Sequence, residues 1–237
     1  MQKVKIQIIK IGIQHHDVLF KKLKNYNSRL FQISIKQVSR PNCDFGWGFN
    51  FNSLTDILQN SFDNDIYDLC IGFIDTEIEN NYFSKRLSEK NDIYVVSFFE
   101  IDKILSSNNI NLFNFMLLTI YRCLTRFKFN RKPSSHHETK GCLFDMCGMK
   151  EDIIYSASAP IICQNCQTII LEQHSNKQFL NDLKDELYKI KKGTYYRIKD
   201  FIETNPWLSL IIGIFISITI NILSNYFYEN IKKLYNF

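Results

Sequence analysis

The sequence predicts an α/β domain, built as a mixed sheet with flanking helices, that continues into a cysteine-rich zinc knuckle and ends in a single C-terminal transmembrane helix. Three observations carry this reading. Apolar residues alternate at period two in several N-terminal segments. Cysteines are paired as Cys142-x4-Cys147 and Cys163-x2-Cys166. No charged residue occurs from Thr204 to Tyr228. A chain of 237 residues has room for one substantial domain and an anchor, since domains usually run to about 100–200 residues. With 45% hydrophobic and 22% charged residues, global disorder is excluded and any membrane content must be local.

The first element is a strand over Lys3–Ile11, where Lys3 and Lys5 alternate with Val4, Ile6 and Ile8 as in a strand with one buried face, and Gly12 punctuates its end. A helix over Asp17–Tyr26, with Val18, Leu19 and Leu23 on one side, leads to a strand over Phe31–Val38 marked by Ile33 and Ile35. A helix follows over Ser53–Phe62. Tyr67–Ile74 and Ile93–Phe99 are apolar runs bounded by Asp and Asn, as buried strands of a mixed sheet are. Leu112–Phe129 is a helix whose Phe115, Leu118, Ile120 and Leu124 surround most of its circumference, which places it deep in the core. Beyond the cysteines, Ser175 and Gln178 form a capping-box start for an amphipathic linker helix. Its stripe is Phe179, Leu180, Leu183, Leu187 and Ile190, and it is expected to pack on its own domain. The expected organisation is thus an α/β domain at 1–130, a zinc-binding segment at 131–171, the linker helix at 175–203, the transmembrane helix at 204–228 and a short tail at 229–237.

The apolar run is long enough for a hydrocarbon core of about 30 Å. Pro206 stands where the first turn of a helix tolerates it, and Trp207, Tyr226 and Tyr228 stand at the edges, where amphipathic rings prefer the headgroups. The bilayer contact is expected through Pro206 to Tyr228. Lys191, Lys192, Arg197 and Lys199 before the span outnumber Lys232 and Lys233 after it, so the soluble domain is expected in the cytosol, with a tail-anchored, single-pass topology. Met1–Gly12 lacks the continuous apolar core of a signal peptide. The net charge of +5 suits an anionic membrane surface and makes nucleic acid an unlikely partner. Asn221 leaves an oligomeric helix contact open, whereas Gly213 stands alone without a GxxxG partner.

Seven cysteines without a secretory signal point to thiols or metal ligands. Cys142, Cys147, Cys163 and Cys166 match a closed, structural zinc site with four cysteine ligands, with His137 as an alternative ligand in place of Cys147. Cys43, Cys70 and Cys123, alone in apolar settings, are expected in the core. His136, His137 and Glu138 are weak catalytic candidates, because adjacent histidines cannot share one helix face as ligands at i and i+4 do. His15 and His16 are expected at the surface, and His174 has no evident partner.

On these residues, the segment from Lys3 to Ile170 resembles the archaemetzincins, a family of zinc metallopeptidase-like proteins. Leu69-Cys-Ile-Gly-Phe-Ile-Asp75 and Ile93-Tyr-Val-Val-Ser97 resemble two strands of that family. Cys142, Cys147, Met149, Cys163 and Cys166 match its Cys-x4-Cys-x-Met and Cys-x2-Cys patterns in order. The resemblance implies a metzincin-like core and a structural zinc. The family's His-Glu-x-x-His-x-x-Gly-x-x-His pattern falls in the register of Arg131 to Gly141, where the histidines are not in place. The expectation is a membrane-tethered, non-catalytic binding or sensing module with an unidentified protein partner, of a kind at home in bacterial signalling or anti-phage defence. The alternative is an active membrane-bound zinc metallopeptidase using His136, His137 and Glu138.

Overall fold

Four parallel strands form the centre of the fold: β1 (Val4–Ile11), β2 (Phe31–Val38), β4 (Leu69–Ile74) and β7 (Ile93–Ser97). Together with β6 (Ser84–Ser88) they make a sheet of order β2-β1-β4-β7-β6, in which β6 runs antiparallel to β7 as an edge. β3 (Gly48–Phe49) and β5 (Glu77–Ile78) pair beside it as a two-stranded parallel ribbon. The structure, a computed structural model, describes residues 2–235 apart from 14, 89–91, 131, 138–140 and 175–176.

The period of two sorts the strand residues onto two covered faces. Ile6, Ile8, Leu69, Ile71, Phe73, Tyr94 and Val96 point into the larger cluster, and Ile9, Ile11, Cys70, Ile74, Ile93 and Val95 into the smaller one. This corrects the one-faced reading of the first strand: from Ile6 to Ile11 every residue of β1 is buried, Gln7 and Lys10 included. A parallel strand with neighbours on both sides is roofed by crossover helices on both faces, so its solvent face disappears. Lys10 ends on Asp17 at the rim, and the Gln7 side-chain amide donates to Asp63 (2.6 Å).

α2 (Phe51–Ser61) covers the smaller face through Leu54 and Leu58. The larger face carries α1 (Asp17–Lys24), α3 (Ile101–Ser107), α4 (Leu112–Lys128), α5 (Ile153–Ser158), α6 (Gln164–His174) and α7 (Lys177–Leu187). In α1 the buried residues are Phe20 and Leu23, with Leu19 half-buried against the same cluster, while Val18, expected on this side, is 80% exposed. α4 is the central helix. The Asn111 side chain caps it by accepting from the Phe113 N–H (2.8 Å), and it buries Phe115, Leu118, Ile120 and Leu124 as expected.

The stretch expected as one linker helix is two. α7 buries Phe179, Leu180, Leu183 and Leu187 in the core of its own domain, the chain leaves the helix there, and α8 (Thr194–Thr204) starts after Gly193. Ser175, half of the expected capping box, lies outside the described residues. The dock is polar as well as apolar. Glu186, 2% exposed, accepts from Ser28 Oγ (2.7 Å), from the Arg29 N–H (2.6 Å) and from the Tyr121 hydroxyl.

The chain divides into two compact units, Met1–Lys192 and Gly193–Phe237. The second holds α8 and α9 (Pro206–Tyr235). Within α9, Pro206–Tyr228 spans 23 residues, its most apolar 18-residue stretch has a mean hydropathy of 2.1 and none of that stretch is buried, so it is long and apolar enough to cross a membrane. At 1.5 Å per residue it reaches about 34 Å, against a hydrocarbon thickness of about 30 Å. Its polar residues turn inward on the helix itself: Thr219 Oγ1 donates to the Phe215 carbonyl (2.8 Å) and Asn225 Nδ2 to Asn221 Oδ1 (3.4 Å).

Candidate metal centre

The knuckle is assembled by short backbone pairings at the end of α4. Leu143 N–H donates to the Ile161 carbonyl (2.7 Å) and Ile161 N–H to the Gly141 carbonyl (2.9 Å), laying Cys142 beside the approach to α6. Gly141 has φ of +106°, a region open mainly to glycine. On the other side, His136 N–H donates to the Phe144 carbonyl (3.2 Å) and Met146 N–H to the His136 carbonyl (2.8 Å), which threads His136 alongside Asp145. The turn from Cys142 to Asp145 closes through Asp145 N–H on the Cys142 carbonyl (3.1 Å) and Cys142 N–H on Asp145 Oδ2 (2.8 Å).

These pairings bring together His136, Cys142, Cys163 and Cys166, whose donor atoms all lie within 4.8 Å of one another. Cys147 is not among them. Its thiol lies 3.8 Å from the Asp145 carbonyl, and burial raises its pKa against the lowering pull of the Arg122 cation. His136 rather than Cys147 stands beside the three other cysteines, the Cys142–Asp145 turn ending before Cys147. His137, the other expected alternative, is exposed: neighbours on an extended segment point to opposite sides. Glu138 lies outside the described residues, as do Thr139 and Lys140.

The donor set suits a tetrahedral ion. Bonds of about 2.3 Å to sulfur and about 2.0–2.1 Å to nitrogen imply sulfurs roughly 3.8 Å apart and sulfur–nitrogen pairs roughly 3.5 Å apart. The Cys142 and Cys166 sulfurs are 4.0 Å apart, and Cys163 Sγ is 3.5 Å from His136 Nε2. Three soft sulfurs with one imidazole favour zinc among common ions. The surroundings are prepared for negative sulfur. Phe144 and Cys163 N–H groups both donate to Cys142 Sγ (3.5 Å each). The hydrogen bond between the Cys142 and Cys166 sulfurs, the two backbone donors and His136 hold the Cys142 thiol below its ordinary range against burial, and Cys166 is pushed up in return. Burial lowers the His136 pKa, but its hydrogen bonds with Cys142 and the His137 carbonyl leave it above its ordinary value.

His136 Nδ1 is 3.2 Å from the His137 carbonyl and 3.6 Å from Asp145 Oδ1, so the imidazole can keep its proton there and present Nε2 to the cluster. Asp145 was missed from sequence. The only available signal was an acidic residue inside the Cys142–Cys147 turn. Of the isolated cysteines, Cys70 and Cys123 are buried as expected, while Cys43 is half-buried against the smaller cluster. His15 is exposed, His16 packs on the Phe98 ring, and the His174 side chain lies outside the described residues.

No protein-family model and no curated protein matches the sequence. The fold does have solved relatives. The crystal structure of an archaemetzincin from Methanopyrus kandleri superposes with a TM-score of 0.50 at 13% identity, covering 73% of this chain and 96% of that one. An archaemetzincin from Archaeoglobus fulgidus complexed with malonate gives 0.47 at 14% identity, over 70% of this chain and 99% of that one. A zinc-dependent peptidase from Methanocorpusculum labreanum gives 0.48 at 9%, again over 70% and 99%. The first of these superpositions shows that the chain has an archaemetzincin-like α/β fold. At these identities the likeness speaks to fold alone.

Proposed function

We propose that this protein is a membrane-anchored, non-catalytic binding or sensing module built on an archaemetzincin-like fold, with one structural zinc. The observation that carries the reading is the four-donor shell of His136, Cys142, Cys163 and Cys166. Four protein ligands fill a tetrahedral coordination sphere and leave no position for a catalytic water, which is the property of structural rather than catalytic zinc sites. His136 is also the first of the three candidates for a peptidase site, so its engagement with Cys163 removes that residue from a second site. The softness of three sulfur donors beside one imidazole supports zinc as the metal.

In this reading the bound ion supplies folding free energy by cross-linking segments that pair only through short bridges. Cys142 and Cys166 sit within the larger core cluster, so the knuckle and the sheet domain are stabilised together. Pro206–Tyr228 is read as a bilayer span, because an exposed helix of that length and hydropathy would present far more contiguous apolar surface than soluble proteins leave open. The excess of basic residues before the span supports a cytosolic domain.

X-ray absorption at the zinc edge of the detergent-purified chain tests the closed shell. Three sulfurs near 2.3 Å and one nitrogen near 2.0 Å are expected, each to within about 0.1 Å. A shell with two or fewer sulfurs and bound oxygen would overturn the non-catalytic reading.

A further inference from the structure

α8 carries an apolar face that the protein leaves uncovered. At about 100° per residue, Tyr195, Ile198, Phe201 and Ile202 fall within an arc of about 120° on one side of the helix. They are 72%, 55%, 41% and 50% exposed. The charges are sorted around this arc. Arg197 and Lys199 stand about 40° beyond its two edges, while Asp200 and Glu203 lie farther round, on the polar side. Lys199 and Glu203 form an exposed i,i+4 pair at 3.6 Å, too weak to commit the ammonium. Tyr196, the aromatic residue outside the arc, is half-buried and meets the Tyr195 ring edge-on at 5.2 Å. An apolar stripe bordered by cations, with anions kept to the far side, is the pattern of a helix lying in a headgroup layer, where basic side chains reach acidic headgroups beside inserted apolar ones.

The position of α8 in the chain supplies the second argument. It ends at Thr204 and α9 begins at Pro206, so a single residue separates this face from the apolar span. Asn205 leaves helical geometry (φ −134°, ψ 62°), and its side chain donates to the Phe201 carbonyl (3.4 Å) and to Thr204 Oγ1 (2.9 Å), which gives the end of α8 a donor where the helix breaks. A helix of 11 residues is marginal in water by itself. A span one residue away makes its contact with the bilayer intramolecular and removes the cost of finding the surface. We propose that α8 is an interfacial helix on an anionic bilayer surface, with Tyr195, Ile198, Phe201 and Ile202 turned toward the acyl chains and Arg197 and Lys199 on acidic headgroups. The proposal rests on the reading of Pro206–Tyr228 as a bilayer span, and it adds a contact that depends on lipid charge, which the uncharged span does not.

Hydrogen–deuterium exchange of the full chain tests it in nanodiscs of phosphatidylcholine and in nanodiscs of equimolar phosphatidylcholine and phosphatidylglycerol. Amides of residues 195–204 are expected to exchange roughly fivefold or more slower in the anionic discs at low salt, and the difference should shrink as salt screens it. Arg197→Gln combined with Lys199→Gln should abolish the difference, and Ile198→Asp should speed exchange in both discs. α4, in the other unit, should exchange alike in every sample and so reports that the globular fold is intact. Carbonate extraction of vesicles carrying the same chains reads the span separately. A chain that does not resist extraction loses the span and the proposal together. A chain that resists it and exchanges equally in both discs, or whose lipid-dependent protection survives the loss of both cations, overturns the interfacial helix and leaves the span standing.

Discussion

Replacing Glu186 by alanine should loosen the dock of α7, and the cost follows from its three donors. Ser28 Oγ can rotate to other partners, and it already accepts from the Leu30 and Phe31 N–H groups (3.0 and 3.3 Å). The Tyr121 hydroxyl has the Tyr26 hydroxyl at 3.2 Å as a substitute partner. The Arg29 N–H, 2.6 Å from Glu186, has no other acceptor among the described residues and becomes the principal orphan. An unsatisfied buried donor costs about 1–3 kcal/mol, and two weakened hydrogen bonds to a charged group add to it, which gives about 3 kcal/mol in total. For a unit of this size each kcal/mol moves Tm by about 2–4 °C, so Glu186→Ala should melt about 6–12 °C lower in a near-UV circular dichroism scan. Tyr121→Phe removes one donor and leaves Glu186 with two, so it should cost only about 1 kcal/mol. A Glu186→Ala melt within about 2 °C of wild type, or one no lower than that of Tyr121→Phe, would refute the picture of Glu186 as the hub of this dock.

Three other outcomes are expected. Gly72→Ala places a Cβ 2.7 Å from both Leu58 methyl carbons, an overpacking worth about 1–3 kcal/mol, and in denaturant titrations Leu58→Val in the same chain should recover part of the loss. Asp182 is held below the usual carboxylate range by hydrogen bonds from Arg29 and Gln178. Because its folded pKa lies below its unfolded one, its contribution is present above about pH 4 and is lost as pH falls through the folded value. Melting Asp182→Asn beside wild type should therefore show a gap at neutral pH that closes in acid. Removing residues 206–237 should shift the protein from the carbonate-resistant membrane fraction to the soluble one, and a truncated chain that stays in the pellet would count against the bilayer span.

The parallel β-α-β opening, the central helix α4 and the apolar C-terminal helix were legible because each rests on a local period that tertiary packing only reinforces. What was not legible depended on long-range placement. The edge strand Ser84–Ser88 carries the polar sequence SKRLS, which lacks a strand period because an edge beside a covered sheet has little apolar face to advertise. α3 is seven residues long and follows Glu100 in a left-handed conformation, too short for its stripe to register. In the candidate metal centre, the spacing of Cys142, Cys163 and Cys166 anticipated that these three side chains would meet. The approach of His136 to them was not legible, because it depends on the long-range bridge between His136 and Asp145, which local spacing does not announce.

The most direct test of the account is elemental analysis of the detergent-purified chain, comparing wild type with Cys163→Ser, His136→Ala and Cys147→Ser. The account predicts one zinc per chain in the wild type and in Cys147→Ser, with zinc lost in Cys163→Ser and reduced in His136→Ala. Zinc retained in His136→Ala but lost in Cys147→Ser, or a second zinc per wild-type chain, would contradict it.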